Sequence, residues 1–141
     1  MGDSVRSFGG ELPRGEGPLV LVVSDSPVLR DLLAVILKQR GFRVVPAADR
    51  AAARAVVEAD PVSAAVVDVR PVSAEGRGFA SWLRASGVKV RTVLVVEKGG
   101  AGDLAVDLKA AVLTVRDLER GPVEDLTRLF RAEDRREGGA S

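Results

Sequence analysis

Residues 18–33 read PLVLVVSDSPVLRDLL. Five apolar residues, Leu19 to Val23, run unbroken into a Ser-Asp-Ser-Pro turn, after which leucines return at helical spacing. A continuous apolar run, as opposed to an alternating one, is what a strand buried on both faces requires. Ser26 stands where a helix N-cap belongs and Pro27 at the first helical position. Leu29, Leu32, Leu33, Ile36 and Leu37 then share one face before Gly41 ends the helix, so the spacing predicts a helix over 27–40. Ser24 and Asp25 sit where the chain leaves the strand. They either help to start the helix or form one wall of a charged site.

The same unit recurs along the chain. LVLVV (19–23), FRVVPA (42–47), SAAVVDV (63–69), RTVLVV (91–96) and AAVLTV (110–115) are short, valine-rich and nearly continuous in apolar character, and they read as strands of a parallel sheet. Helices are expected between and after them over 50–59 behind the cap Asp49, over 79–86, over 103–109 and over 122–132. In the second of these, Phe79, Trp82 and Leu83 form a buried face. The last begins at Pro122, with Glu124 and Asp125 in its first turn and Arg128 and Arg131 later, which suits the helix dipole. Alternating strands and helices imply right-handed crossovers and a doubly wound α/β sheet covered by helices on both faces. In such sheets chemistry gathers beyond the carboxyl ends of the strands. Ser24, Asp25, Asp68, Glu97 and Arg116 all fall there, which brings three carboxylates and one guanidinium to the same edge.

Composition narrows the function classes. With 141 residues and 46% hydrophobic content the chain can build one domain with a real core. Twenty-one Lys and Arg balance 20 Asp and Glu, so no general field draws the protein to nucleic acid or to an anionic membrane. Arg30, Lys38 and Arg40 on the first helix read as a solvated face. The absence of Cys and His removes thiolate nucleophiles, disulfides and the commonest general base and metal ligand. No signal peptide is recognisable, and no apolar run approaches the roughly 18 residues that span a bilayer, so a cytoplasmic protein is expected. Residues 1–17 and 133–141, rich in glycine and scattered charge, read as a flexible arm and tail around a domain over 18–132.

The stretch VVSDSPVLRDLL (22–33) and the segment AAVVDVRP (64–71) resemble the receiver domain of bacterial two-component response regulators, the CheY-like family. The resemblance runs from about Pro18 to Phe130. It implies a flavodoxin-like sheet of order 2-1-3-4-5, and a site with two acids after strand one that hold magnesium. It further implies a phosphoacceptor aspartate after strand three, a hydroxyl after strand four and a lysine after strand five. Asp25 matches the second acid and Asp68 the acceptor, so magnesium at Asp25 and Asp68 is compatible with the pattern. Three positions differ: Ser24 replaces the first acid, Glu97 the hydroxyl, and Arg116, followed by Asp117, the lysine. Pro71 also comes one residue sooner than the family's usual proline.

Glu97 is the most damaging change. A phosphoryl group brings about −1.5 to −2 charges, and a carboxylate ~4 Å away opposes it by roughly 4 kcal/mol per unit charge at an effective dielectric near 20. Arg116 could bridge Asp68 or Glu97 in bidentate fashion, which would occupy the acceptor with protein. The expectation is therefore an atypical, stand-alone receiver-like module that is not an enzyme, needs no cofactor and signals by protein–protein contact without stable phosphorylation. Its contact surface is expected on the fourth and fifth helices and strand five, with no output domain after residue 132. The partner class is a sensor kinase or a downstream effector, with no nucleic acid and no membrane, and the chain itself is a monomer or weak dimer. The alternatives are a relic site, a phosphoryl-accepting response regulator using Asp68, and a flavin- or nucleotide-binding flavodoxin relative. EKGGAG (97–102) lacks the ending of a phosphate-binding P-loop and reads as a connection.

Overall fold

A computed structural model describes residues 17–97 and 102–119. The expected arm before Gly17, the helix over 122–132 and the tail lie outside the described residues. Among the described residues five strands alternate with five helices: β1 Leu19–Val23, α1 Pro27–Gln39, β2 Arg43–Ala47, α2 Arg50–Ala59, β3 Ala64–Asp68, α3 Ala74–Ser86, β4 Arg91–Val96, α4 Gly102–Leu108, β5 Ala111–Thr114 and α5 Val115–Glu119. All strand pairs are parallel and the order is β2-β1-β3-β4-β5, as the α/β reading expects.

Helices cover both faces of the sheet, and each strand sends alternate residues to opposite sides. Val20, Val22, Ala64, Val66, Val93 and Val95 pack with Leu29, Leu33 and Leu37 of α1 and Leu118 of α5. Leu21, Val23, Ala65, Val67, Leu94 and Val96 pack with Ala53 of α2 and Phe79, Ala80 and Leu83 of α3. This two-sided burial is why the strand runs are continuously apolar. Leu32, expected on the buried stripe of α1, is instead exposed, and Trp82 is half-buried, stacked on Phe79 with its face under the Arg54 guanidinium. Ser26 caps α1 by accepting from the Leu29 amide, Pro27 opens it, and Gly41 beyond its end takes a left-handed φ of 95°, as a glycine there can at little cost.

Two elements differ from expectation in ways that shape the site. Helix α3 begins at Ala74, five residues before the expected Phe79. Its first turn, AEGRG, has poor intrinsic propensity, with two glycines, but tertiary contacts hold it. Gly76 lies so close to the end of β3 that a Cβ there would strike the Asp68 carbonyl oxygen, so the absence of a side chain is what lets the helix start against the strand. At the far edge, β5 stops at Thr114 and α5 starts at Val115. Thr114 Oγ1 accepts from the Asp117 amide at 3.0 Å while Asp117 Oδ2 accepts from the Thr114 amide at 2.8 Å, a reciprocal capping box. Arg116 therefore lies in the first turn of a helix, not in a loop after the strand.

Candidate functional site

Strand register assembles the site. Val23 pairs with Val67, which sets Ser24 beside Asp68, and Asp68 pairs with Val95, two residues before Glu97. Asp68 closes β3 with 1% of its surface exposed, and Ser24 is fully buried. The carboxylate of Asp68 accepts four hydrogen bonds, two at each oxygen. Ser24 Oγ donates to Oδ2 at 2.7 Å and Arg70 Nη2 to the same oxygen at 2.8 Å. Arg70 Nε donates to Oδ1 at 2.8 Å, and the Arg70 amide reaches that oxygen at 3.1 Å. A carboxylate offers about four lone-pair sites, so Asp68 is saturated by protein donors. The Arg70 contact is a bidentate, charge-assisted pair, the strong form of such a bond.

The ionisation of the pair follows from these contacts. Burial alone would push the Asp68 carboxyl up, but the hydrogen bonds from Arg70 and Ser24 outweigh it and hold the group below the usual carboxylate range. Hydrogen bonding to Asp68 raises the Arg70 guanidinium against the opposing effect of burial, with a smaller contribution from the Glu97 charge.

A second set of bonds joins the same two loops. The Asp25 amide donates to Ser73 Oγ at 3.2 Å, Ser73 Oγ donates to Asp25 Oδ1 at 3.2 Å, and the Glu75 amide donates to the same carboxylate oxygen at 3.0 Å. Ser73, the N-cap of α3 by position, makes no side-chain cap bond of its own. Asp25 supplies it from across the sheet, so its charge sits at the positive end of the helix. Ser24 Oγ also accepts from the Ser26 amide at 2.9 Å, and Arg30, expected only as a solvated charge, donates from Nη1 to the Ser24 carbonyl at 2.7 Å. Arg50 of α2 binds the Glu75 carboxylate, with Nε at 3.1 Å from Oε1, which ties α2 to the start of α3.

The residues named from sequence thus divide. Ser24, Asp25 and Asp68 come together as expected. Glu97 stands exposed at the end of β4 and reaches Arg70 only through its field. Arg116 is a correction: among the described residues it makes neither hydrogen bond nor ion pair with Asp68 or Glu97, and the clamp on Asp68 comes from Arg70. The start of α5 at Val115 carries Arg116 onto that helix, away from the carboxylate. Arg116 lines, with Arg70, Val96, Glu97, Thr114 and Val115, a surface hollow of about 360 Å³. Arg70 was missed, although a signal existed. In DVR the aspartate and arginine are two apart, and residues at that spacing in extended chain point the same way.

These carboxylates do not fit a divalent cation as they stand. Both oxygens of Asp68 are filled, one oxygen of Asp25 accepts two bonds, and the guanidinium of Arg70 lies where a cation would need to approach. Among the described residues, no group of three or more acidic side chains is placed to hold a metal ion. Nor is any described helix long and apolar enough to cross a membrane.

No family model matches the chain. Over 99 residues it is 32% identical to the alkaline phosphatase synthesis transcriptional regulatory protein SphR of Synechococcus elongatus, an alignment covering 64% of this chain and 38% of that protein. The chain therefore spans well under half the length of that relative. Among solved structures, the response regulator receiver domain protein (CheY-like) of Methanospirillum hungatei superposes with a TM-score of 0.70 at 17% identity, covering 86% of this chain and 99% of that one. The response regulator TrrA of Thermotoga maritima, solved in complex with Mg2+-BeF, gives a TM-score of 0.64 at 16% identity over 80% of this chain and 98% of its own. The parallel sheet order and these superpositions together establish that the chain has the fold of the CheY-like response-regulator receiver domain.

Proposed function

We propose that the chain is a receiver-like signalling module that acts by binding another protein and does not pass through a stable phosphoaspartate. The observation that carries this reading is the saturation of Asp68. Attack on phosphorus needs a free carboxylate lone pair, and every one here already accepts a hydrogen bond, two of them from the Arg70 side chain. A nucleophile held this low in basicity and this fully bonded is a poor one. Glu97, where the family has a hydroxyl donor, would also repel the product's charge. The partner is a sensor kinase or an effector protein in the cytoplasm, met by a monomer or weak dimer of this chain, with no catalytic role and no nucleic acid or membrane involved. Val106 of α4 is 75% exposed and Val112 of β5 44%. These exposed apolar side chains support contact through α4 and β5.

The second reading, a phosphoryl-accepting regulator with Asp68 as acceptor, is favoured by the position of Asp68 at the carboxyl end of β3 beside Asp25. One experiment decides between them. The protein is incubated with magnesium and acetyl phosphate or beryllofluoride, and intact mass and amide resonances are followed. No covalent adduct and no shift around Asp68 are expected. An adduct that disappears in Asp68→Asn would overturn the proposal.

A further inference from the structure

We infer that Arg70 takes the place of a divalent cation at this edge of the sheet: its guanidinium neutralises Asp68 from within and excludes metal, while Ser24, Asp25 and Ser73 join the β1–α1 and β3–α3 loops without one. The inference deepens the proposed function and rests on that reading of Asp68. Three features support it. The pair is buried, with the Arg70 side chain 17% and that of Asp68 1% exposed, and its contact is 2.8 Å, so one positive charge sits in the low-dielectric position where charge balance matters most. The planar fork of Arg70 meets both carboxylate oxygens at once, which leaves neither open to an entering ion. The Ser24 hydroxyl, at 2.7 Å, completes the Oδ2 shell with a neutral donor where a second carboxylate would have strengthened cation binding.

The geometry also says what removing Arg70 would do. Asp68 would keep the Ser24 bond and regain open lone pairs. Asp25, next in sequence to Ser24, has Oδ1 alone engaged among its carboxylate oxygens in the bonds described, which leaves Oδ2 to turn toward an ion at Asp68. Two carboxylates and water are a sufficient start for a hard cation. The chain therefore carries a latent divalent-cation site that one side chain closes.

The test uses Mn2+ alone, with paramagnetic broadening of amide resonances as readout and Mg2+ as competitor. The wild-type chain is expected to show no site-specific broadening. Arg70→Gln is expected to bind at least about a hundredfold tighter, because a repelling unit charge at contact distance is gone, with broadening centred on Ser24, Asp25 and Asp68 and abolished by adding Asp68→Asn. Arg70→Asn is measured in parallel in case the glutamine variant does not fold, and the wild-type arm needs no variant. Broadening at Asp68 in the wild type, or its absence in a folded Arg70 variant, overturns the inference. Either result leaves the proposed function standing unless the wild type also takes a phosphoryl group, so the two failures are distinguishable.

Discussion

Arg70→Ala should destabilise the domain in a way that depends on pH. The substitution leaves Asp68 at the end of β3, 1% exposed, with the Ser24 hydroxyl as its remaining side-chain donor. The charged form loses its counter-ion, and burial then pushes the carboxyl up, the reverse of its wild-type state. Loss of the wild-type stabilisation is the same at pH 5 and pH 7, and the pH-dependent part of the cost cannot exceed that of keeping the group neutral. For a carboxyl with an unfolded value near 3.9, that is about 1.36 kcal/mol per pH unit above it, so at pH 7 the ceiling is about 4 kcal/mol and at pH 5 about 1.5 kcal/mol. In the wild type, Asp68 is held low, so its contribution is present above the unfolded value and lost only as pH falls through the folded one. Between pH 5 and 7 the wild type gains or loses nothing through this group, and the variant alone changes. Urea unfolding at both pH values reads the difference directly. A penalty whose pH-dependent part approaches about 4 kcal/mol at pH 7 and shrinks by about 2.5 kcal/mol at pH 5 is expected, within the usual domain stability of about 5–15 kcal/mol. A penalty equal at the two pH values would mean that Arg70 contributes packing and not charge, and the account of the clamp would fail.

The other predictions concern the frame around the clamp. Asp25→Ala removes the cap that α3 receives from β1 and should cost about 1 kcal/mol, with faster hydrogen exchange at the Glu75 amide; unchanged exchange there would refute the cap. Gly76→Ala, which in an ordinary helix gains about 1 kcal/mol, should here lose about 1–3 kcal/mol through overpacking against the Asp68 carbonyl, seen as a lower Tm. Arg116→Ala should change stability by no more than about 0.5 kcal/mol. A loss matching that of Arg70→Ala would return the clamp to Arg116.

How much of this was legible beforehand follows from what each feature depends on. The strands were readable because a parallel sheet buries both faces, and that requirement writes itself into the chain as unbroken valine-rich runs. The convergence of Ser24, Asp25 and Asp68 was readable too, because parallel register brings strand ends together whatever the loops do. The start of α3 was not, since its glycine-bearing first turn is held by Asp25, 50 residues away from the Glu75 amide it caps. The identity of the guanidinium on Asp68 was hidden for a similar reason. Sequence places both Arg70 and Arg116 at the same edge, and the choice between them rests on which segment curls back. The capping box of Thr114 and Asp117, a T-x-x-D pattern, lifts Arg116 onto α5, while Arg70 stays on the chain that folds over the end of β3.

That choice bears on how the domain could carry a signal. A receiver that switches must connect its acceptor to strands four and five through groups that sense the acceptor's charge. Here the side-chain bonds described at Asp68 come from Ser24 and Arg70, and those at Asp25 from Ser73 and Glu75, so the acceptor is coupled to its own loop and to β1. Across the hollow, Glu97 touches this arrangement only through its field on Arg70, an interaction that water and salt weaken at an exposed carboxylate. Among the described residues, the side chain of Asp68 has no hydrogen bond to the β4–α4–β5 face, and its strand meets β4 through the backbone pairing with Val95. On the proposed reading, a surface without a side-chain link to Asp68 would hold one conformation and be recognised constitutively, and regulation would lie in the partner or in the amount of protein. Weakening the Arg70 bridge should alter stability and cation binding before it alters what that face binds. A partner whose affinity fell in step with the loss of the Asp68–Arg70 pair, in a variant still fully folded, would show that the two ends of the sheet remain coupled.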